Sequence, residues 1–243
     1  MRFLITFSYD GSNYIGFQKQ KNNHQSIQNK IEYALHNMLN KDVRIFGSGR
    51  TDKGVHAHAQ TAHFDLETPP QITNKEFIRL INLRLPEDIR IIKLKKVRND
   101  FHARMDAKSK IYTYYISKRP LNSFNSRFLV HIDSLDIKKI KNAIDLLIGC
   151  HDFEKFSKHV PGKNTIKTIY SINIKETKHA YTFSFHGSSF LQYMIRKLMG
   201  TFILLSQDKM TLDDIKSLLN KNSTCSPPTA ASKGLFLTKV FYK

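Results

Sequence analysis

The residues best suited to chemistry are crowded into "GSGRTDKGVHAHAQTAHFD", residues 47–65. One carboxylate, Asp52, stands between Arg50 and Lys53, and His56, His58 and His63 follow. Three chemistries are open to such a stretch: a phosphate loop, a metal site, or a loop presenting a single carboxylate to a substrate. A phosphate loop needs G-x-x-x-x-G-K-[ST] opening a helix. "GSGRTDKG" lacks that spacing, has no Ser or Thr after its lysine, and runs into "VHAHAQTAHF", which alternates like a strand. A pair such as His56 and His58 places both rings on one face of a strand and can ligate a divalent metal. No acidic or histidine partner shows a telling spacing, so cross-strand hydrogen bonding or phosphate contact is the expected role of these histidines.

The third chemistry fits best. Glycines 47, 49 and 54 let the backbone turn tightly around Asp52. In an extended loop Arg50 and Asp52 face the same way, and a carboxylate beside cations stays ionised. Such a group serves as a nucleophile or an electrostatic stabiliser, the alternative being an ordinary surface salt bridge. "GCHDF" (149–153) offers a Cys-His pair, but adjacent residues seldom meet side chain to side chain. Cys150 is expected to be a small buried residue after a helix end, with His151 and Asp152 capping the next turn.

The elements that must position these groups show in the hydrophobic periodicity. "RFLITFSY" (2–9), "VRIFGS", "AQTAHFDL" and "IRIIKLKKV" (89–97) read as strands. Residues 26–39 and 74–85 read as helices, the second stopped by Pro86. The order repeats from residue 110. "KIYTYYIS" is a strand, residues 137–149 a helix with Gly149 as its stop, and "IYSINIKE" and "AYTFSFHG" a hairpin around Lys178 and His179. Residues 190–205 are a helix, Thr211 and Asp214 stand at capping-box spacing, and "GLFLTKVFY" (234–242) is a final strand. The fold expected is α+β, two ferredoxin-like (β-α-β-β-α-β) halves sharing an extended antiparallel or mixed sheet, with helices packed on one side. The halves are assigned as 1–105, carrying the Asp52 loop, and 106–243, with the seam near the aperiodic segment 99–109.

The composition sets the partner class. There are 39 Lys and Arg against 20 Asp and Glu, a formal charge of +19, which favours a polyanion through phosphate contacts and counterion release. A merely lysine-rich surface is the bland alternative. The two cysteines, Cys150 and Cys225, share no spacing rule and are expected to be reduced. The opening "MRFLITFSYDG" is too soon polar for a signal peptide, and no apolar run reaches membrane-span length, so a soluble cytoplasmic protein is expected.

Several separate blocks resemble, in order, the TruA family of tRNA pseudouridine synthases. "GRTDKGVHA" resembles the catalytic loop of that family, "YDGSNYIGFQKQ" (9–20) its N-terminal motif and "FHARMDAKSKIYTYYI" (101–116) its tyrosine block. "GCHDFEKF" (149–156), "FLQYMIRKLMGT" (190–201) and "GLFLTKVFY" resemble three further motifs. The resemblance spans nearly the whole chain. It implies a pseudouridine synthase fold and isomerisation of uridine in the anticodon stem-loop of tRNA, at the adjacent positions 38, 39 and 40. It also implies a homodimer whose cleft binds tRNA, with no cofactor and no metal. By the same resemblance Asp52 is the catalytic aspartate and Arg50, Tyr112 and Arg196 bind substrate, with Arg196 beside the aspartate. Lys53, Phe17 and Lys197 depart from the family's usual alanine, tryptophan and asparagine. Two readings from other classes stand beside this one: a non-catalytic RNA-binding protein with two RRM-like halves, and a metal-dependent hydrolase using His56 and His58. The alternating tyrosines of "IYTYYI" suit the first, but the glycine-aromatic RNP pattern is missing from the sequence.

Overall fold

The computed structural model describes residues 1–20, 24–68, 70–162, 164–223 and 226–242. The first elements in chain order are β1 (Arg2–Tyr9), α1 (Ile27–Leu39), β2 (Phe46–Gly47), β3 (His56–Asp65), α2 (Asn74–Asn82) and β4 (Ile89–Val97). Then come β5 (Ser109–Ser117), β6 (Val130–His131), α3 (Ile137–Leu147), β7 (Gly149–Asp152), β8 (Ile166–Glu176), β9 (Ala180–Gly187), α4 (Met194–Ser206), α5 (Leu212–Leu219) and β10 (Leu235–Phe241). The fold is α+β and forms two compact units, Met1–Lys108 with Phe236–Lys243, and Ser109–Leu235. No helix among the described residues is long and apolar enough to cross a membrane.

In the first unit β1 lies between β4 and β3, antiparallel to both, and the two-residue β2 adds to β3. This is the β4-β1-β3-β2 order of a ferredoxin-like unit. The final strand also reaches β3, parallel to it, at Phe236 opposite His56 and Leu237 opposite Ala57. The carboxy-terminal residues therefore join the first unit, although they follow the second in sequence. Strict alternation buries Phe3, Ile5, Phe7 and Tyr9 of β1 on one face. The apolar stripes of α1 (Ile27, Ile31, Ala34, Leu35) and α2 (Phe77, Ile81) are buried as well. Phe64 of β3 stacks on Phe3 and on Phe77, with ring centroids 5.7 and 6.2 Å apart, so strand and helix share one aromatic column. Both helices start on hydroxyl caps, Ser26 accepting from Asn29 N–H and Thr73 from Glu76 N–H.

The second unit is built on the strand order β5-β9-β8-β7, with β6 paired to β5. Phe183 and Phe185 of β9 are fully buried and both stack on Phe202 of α4, at 6.0 and 6.3 Å. The Thr211 and Asp214 capping box at α5 is present in full. Three features differ from the periodicity reading. Helix α4 starts at Met194 rather than at 190, because Tyr193 is left-handed (φ 67°) and interrupts the helical path. Gly149, at φ 110°, ends the α3 region but opens β7 instead of a plain turn. Cys150 is exposed, not buried: it lies on the short strand β7, which ends the strand order next to β8. Cys225 lies outside the described residues.

Candidate active site

The Asp52 loop is a clamped structure. It leaves β2 at Ser48, whose N–H donates to Thr61 O (2.8 Å) and whose hydroxyl donates to Gln60 Oε1 (2.6 Å). Gln60 Nε2 returns a bond to Gly49 O (3.1 Å), so a buried glutamine of β3 holds the entry of the loop. The loop then closes in a β-turn, Val55 N–H donating to Asp52 O (3.1 Å), with Gly54 left-handed at φ 73° in the third position. Of the three glycines read as turn formers, Gly54 has that backbone role. Gly47 instead makes room for a ring: a Cβ there would stand 2.4 Å from the Phe17 side chain. Arg50 is exposed and Asp52 half-buried, so the carboxylate is accessible yet carried on backbone that is tied down.

The segment that ties it down is "YDGSNYIGF", residues 9–17. Tyr9 Oη and Thr51 Oγ1 share a buried hydrogen bond of 2.8 Å, and the burial of Tyr9 raises its pKa. Phe17 N–H donates to Thr51 O (3.1 Å) and Gly11 N–H to His56 Nδ1 (3.0 Å). Two glycines permit the approach: a Cβ on Gly11 would stand 2.0 Å from Val55 O, and one on Gly16 (φ 122°) 2.7 Å from Thr51 O. Sequence reasoning placed this motif beside a family but did not connect it to the Asp52 loop. The signal was the pair of glycines five residues apart in a strand-to-helix connection.

The histidines serve the fold. His56 is fully buried, its Nδ1 accepting from Gly11 N–H with Asp10 Oδ1 at 3.1 Å, and both His56 and His58 stack on the Phe236 ring, at 4.5 and 4.7 Å. His63 accepts from Ala103 N–H (3.1 Å), stacks on Phe46 (5.0 Å) and meets His102 edge-on (4.7 Å). Among the described residues no group of three or more His, Cys, Asp or Glu side chains is gathered as metal ligands would be. Burial, with the nearby Arg2 and His102 charges, pushes His63 down to about 4. Its neutral form is the folded form, so the stability it contributes is complete above the ordinary histidine value and is lost as pH falls toward about 4. A loss of stability is therefore expected as pH falls from 6.5 to 5. Thermal melts across that window should drop further for the native chain than for His63→Gln, and equal drops would contradict this origin.

In the second unit, Tyr112 lies on β5 opposite Phe185, is 8% exposed, and meets the Phe190 ring edge-on at 5.4 Å. Tyr114, two residues on and on the same face, is fully buried and donates from its hydroxyl to Ala231 O (2.8 Å), whereas Tyr115 is half-buried. Arg196 lies in the first turn of α4. Its Nε donates to Ala230 O (2.7 Å), Ala230 N–H returns a bond to Arg196 O (3.0 Å), and the guanidinium lies 5.3 Å from the Tyr193 ring centroid. Adjacent carbonyls, those of Ala230 and Ala231, thus hold Arg196 and Tyr114. The segment runs tight along the helix, since a Cβ on Gly200 would stand 2.0 Å from Pro228 O. Lys197 fastens it further, donating from Nζ to Ser157 O (3.1 Å), Lys155 O (3.4 Å) and Ser226 Oγ, and its burial lowers its pKa. The 226–231 segment was not singled out from sequence, since it has no period.

Comparison with known proteins agrees with the motifs. A family model described as tRNA pseudouridine synthase matches residues 5–106 and 143–243. The tRNA pseudouridine synthase A of Phytoplasma mali is 44% identical over 99% of this chain and 98% of its own. The chain belongs to the tRNA pseudouridine synthase family. Relatives of the same name from Aster yellows witches'-broom phytoplasma and Streptococcus uberis are 40% and 35% identical, covering 99% and 100% of this chain and 98% of each relative. The chain is therefore an isomerase that forms pseudouridine in tRNA. Both the clamped carboxylate loop and the anchored arginine lie inside the matched ranges.

Proposed function

We propose that the chain isomerises uridines in the anticodon stem-loop of tRNA with Asp52 as the catalytic carboxylate. The observation that carries this is the half-buried Asp52 on a turn fixed by Tyr9, Gly11 and Phe17. Pseudouridine formation breaks the bond from the ribose to uracil N1, turns the base and rejoins it through C5, releasing the C5 proton. A fixed carboxylate supports this either by bonding covalently or by stabilising charge at the sugar. The base must first leave its stack, at a cost of about a few kcal/mol. Exposed Arg50 is suited to fill the vacated space or hold the flipped base, and Tyr112 to stack on the uracil or assist proton removal at C5. The chain acts in this reading as a cytoplasmic homodimer without cofactor. Tritium release from tRNA labelled at uracil C5 tests the reaction. Release from an anticodon stem-loop substrate is the expected result, and binding without release would support the RNA-binding alternative instead.

Arg196 is proposed to bind substrate through a guanidinium preset by its Nε bond to Ala230 O. Arg196→Ala is expected to lower kcat/KM by about a hundredfold. Arg196→Lys should recover only part of this, because lysine lacks both the Nε donor and the planar fork. Full recovery in the lysine variant, measured by the same tritium assay, would reduce the role of this residue to bare charge.

A further inference from the structure

The connection from β5 to β6, residues 118–129, carries a feature that the reaction does not use. Phe124 is 89% exposed at its tip. The tip is not a slack loop. Asn122 Oδ1 accepts from the N–H groups of Phe124 (3.0 Å) and Asn125 (3.2 Å), Asn125 Oδ1 accepts from Asn122 N–H (2.9 Å), and Asn122 O accepts from Ser126 N–H (3.0 Å). Its base is fastened too. Ser117 Oγ donates to Arg119 O (2.7 Å), and Ser117 O accepts from Ile132 N–H (3.0 Å) where β6 joins β5. The backbone is thus organised to present one aromatic ring to solvent, where a soluble chain would otherwise place a polar residue.

The surroundings select the partner. From residue 107 to residue 132 the chain has five Lys or Arg and no Asp or Glu, and Arg119 and Arg127, on either side of the tip, are exposed. Beside Phe124 stand the polar Asn122 and Ser123. A single phenylalanine offers about 150–250 Å² of apolar surface, far below the roughly 1,200 Å² at which stable protein interfaces begin. One ring face is, however, all that an unstacked base requires, and flanking cations serve the phosphates on either side of it. We infer that Phe124 is a stacking platform for an unpaired nucleotide of the bound tRNA, outside the base that reacts. This rests on tRNA being the substrate but not on Asp52 chemistry.

The chain has no tryptophan, so Phe124→Trp places a single indole at the tip. Adding unmodified tRNA transcript to this full-length variant should quench its fluorescence. Phe124→Ala should weaken transcript binding about five- to a hundredfold in a filter assay at fixed salt, with Phe124→Trp close to the native chain. The slope of affinity against salt should be the same in Phe124→Ala as in the native chain, because stacking releases no counterions, whereas Arg119→Gln should reduce it by about one. Wild-type affinity in Phe124→Ala, or no quenching at saturating tRNA, overturns the inference. So does a Phe124→Ala chain that keeps its tRNA affinity but sediments at lower mass, which would make the ring a contact with a second copy. Tritium release by the native chain is measured alongside: its failure would remove the proposed reaction, while the binding and quenching results would still judge the platform.

Discussion

Asp52→Asn is expected to slow pseudouridine formation by at least about a thousandfold while leaving tRNA affinity within about twofold of the native chain. The exchange is nearly isosteric and leaves the main-chain bonds of the turn in place. The turn closes through the main-chain bond from Val55 N–H to Asp52 O and is held by Thr51, Ser48 and His56, all of which the variant keeps. What the amide loses is the negative charge and the nucleophilic oxygen together, so both the covalent and the electrostatic routes fail at once. Binding should survive because one carboxylate among 39 basic residues adds repulsion, not attraction, toward phosphates. Single-turnover tritium release, paired with filter binding of the same tRNA, separates the two effects. A variant turning over within tenfold of the native rate would remove Asp52 from the chemistry.

How far the sequence led depended on the kind of force at work. The bounds of β1 and β4 were legible to the residue. Period-2 alternation records which face of β1 meets the core, whereas a register shift against β1 breaks the alternation of β4, which buries Ile89, Ile91 and Leu94. Helix α1 was legible because Ile27, Ile31, Ala34 and Leu35 trace its buried stripe, although Ser26 proves to be its cap and not its first residue. Two-residue β2 was read as the longer strand "VRIFGS", and four-residue β7 was not read as a strand, since neither is long enough to show a period. The start of α4 was misjudged because the left-handed turn at Tyr193 is a backbone choice that side-chain patterning does not report. Asp52 and Arg50 stood out in the glycine-rich loop itself, whereas Tyr112 and Arg196 were named from motif resemblance, and the anchoring of Arg196 on Ala230 depends on a segment with neither period nor charge. The histidines illustrate the opposite case. Spacing placed His56 and His58 on one face, as a metal pair would be, and only the position of Phe236, 180 residues from His56, reveals what that face packs against.

Gly11→Ala is the sharpest test that the N-terminal motif, remote in sequence from the catalytic stretch, sets the position of Asp52. A Cβ at Gly11 would lie 2.0 Å from Val55 O and 2.7 Å from Val55 C. Both are backbone atoms, so no side-chain rotation relieves the contact and the two segments must part. Val55 is the residue whose N–H closes the Asp52 turn, and Gly11 N–H is itself bonded to His56, so the displacement is passed directly to the carboxylate. A misplacement of about 1 Å at a reacting group costs about a hundredfold in rate. Overpacking of this kind also costs about 1–3 kcal/mol of stability. Rates must therefore be taken well below the melting temperature of the variant, with circular dichroism confirming that it is folded. Tyr9→Phe supplies the milder comparison: it removes one buried hydrogen bond to Thr51 Oγ1, worth about 1 kcal/mol, without inserting an atom. If the clamp positions Asp52, the folded Gly11→Ala chain should lose far more rate than Tyr9→Phe while tRNA affinity changes little in either. A folded Gly11→Ala chain with native single-turnover rates would mean that the loop absorbs the added methyl group without moving its carboxylate, and the clamp would then be structural alone.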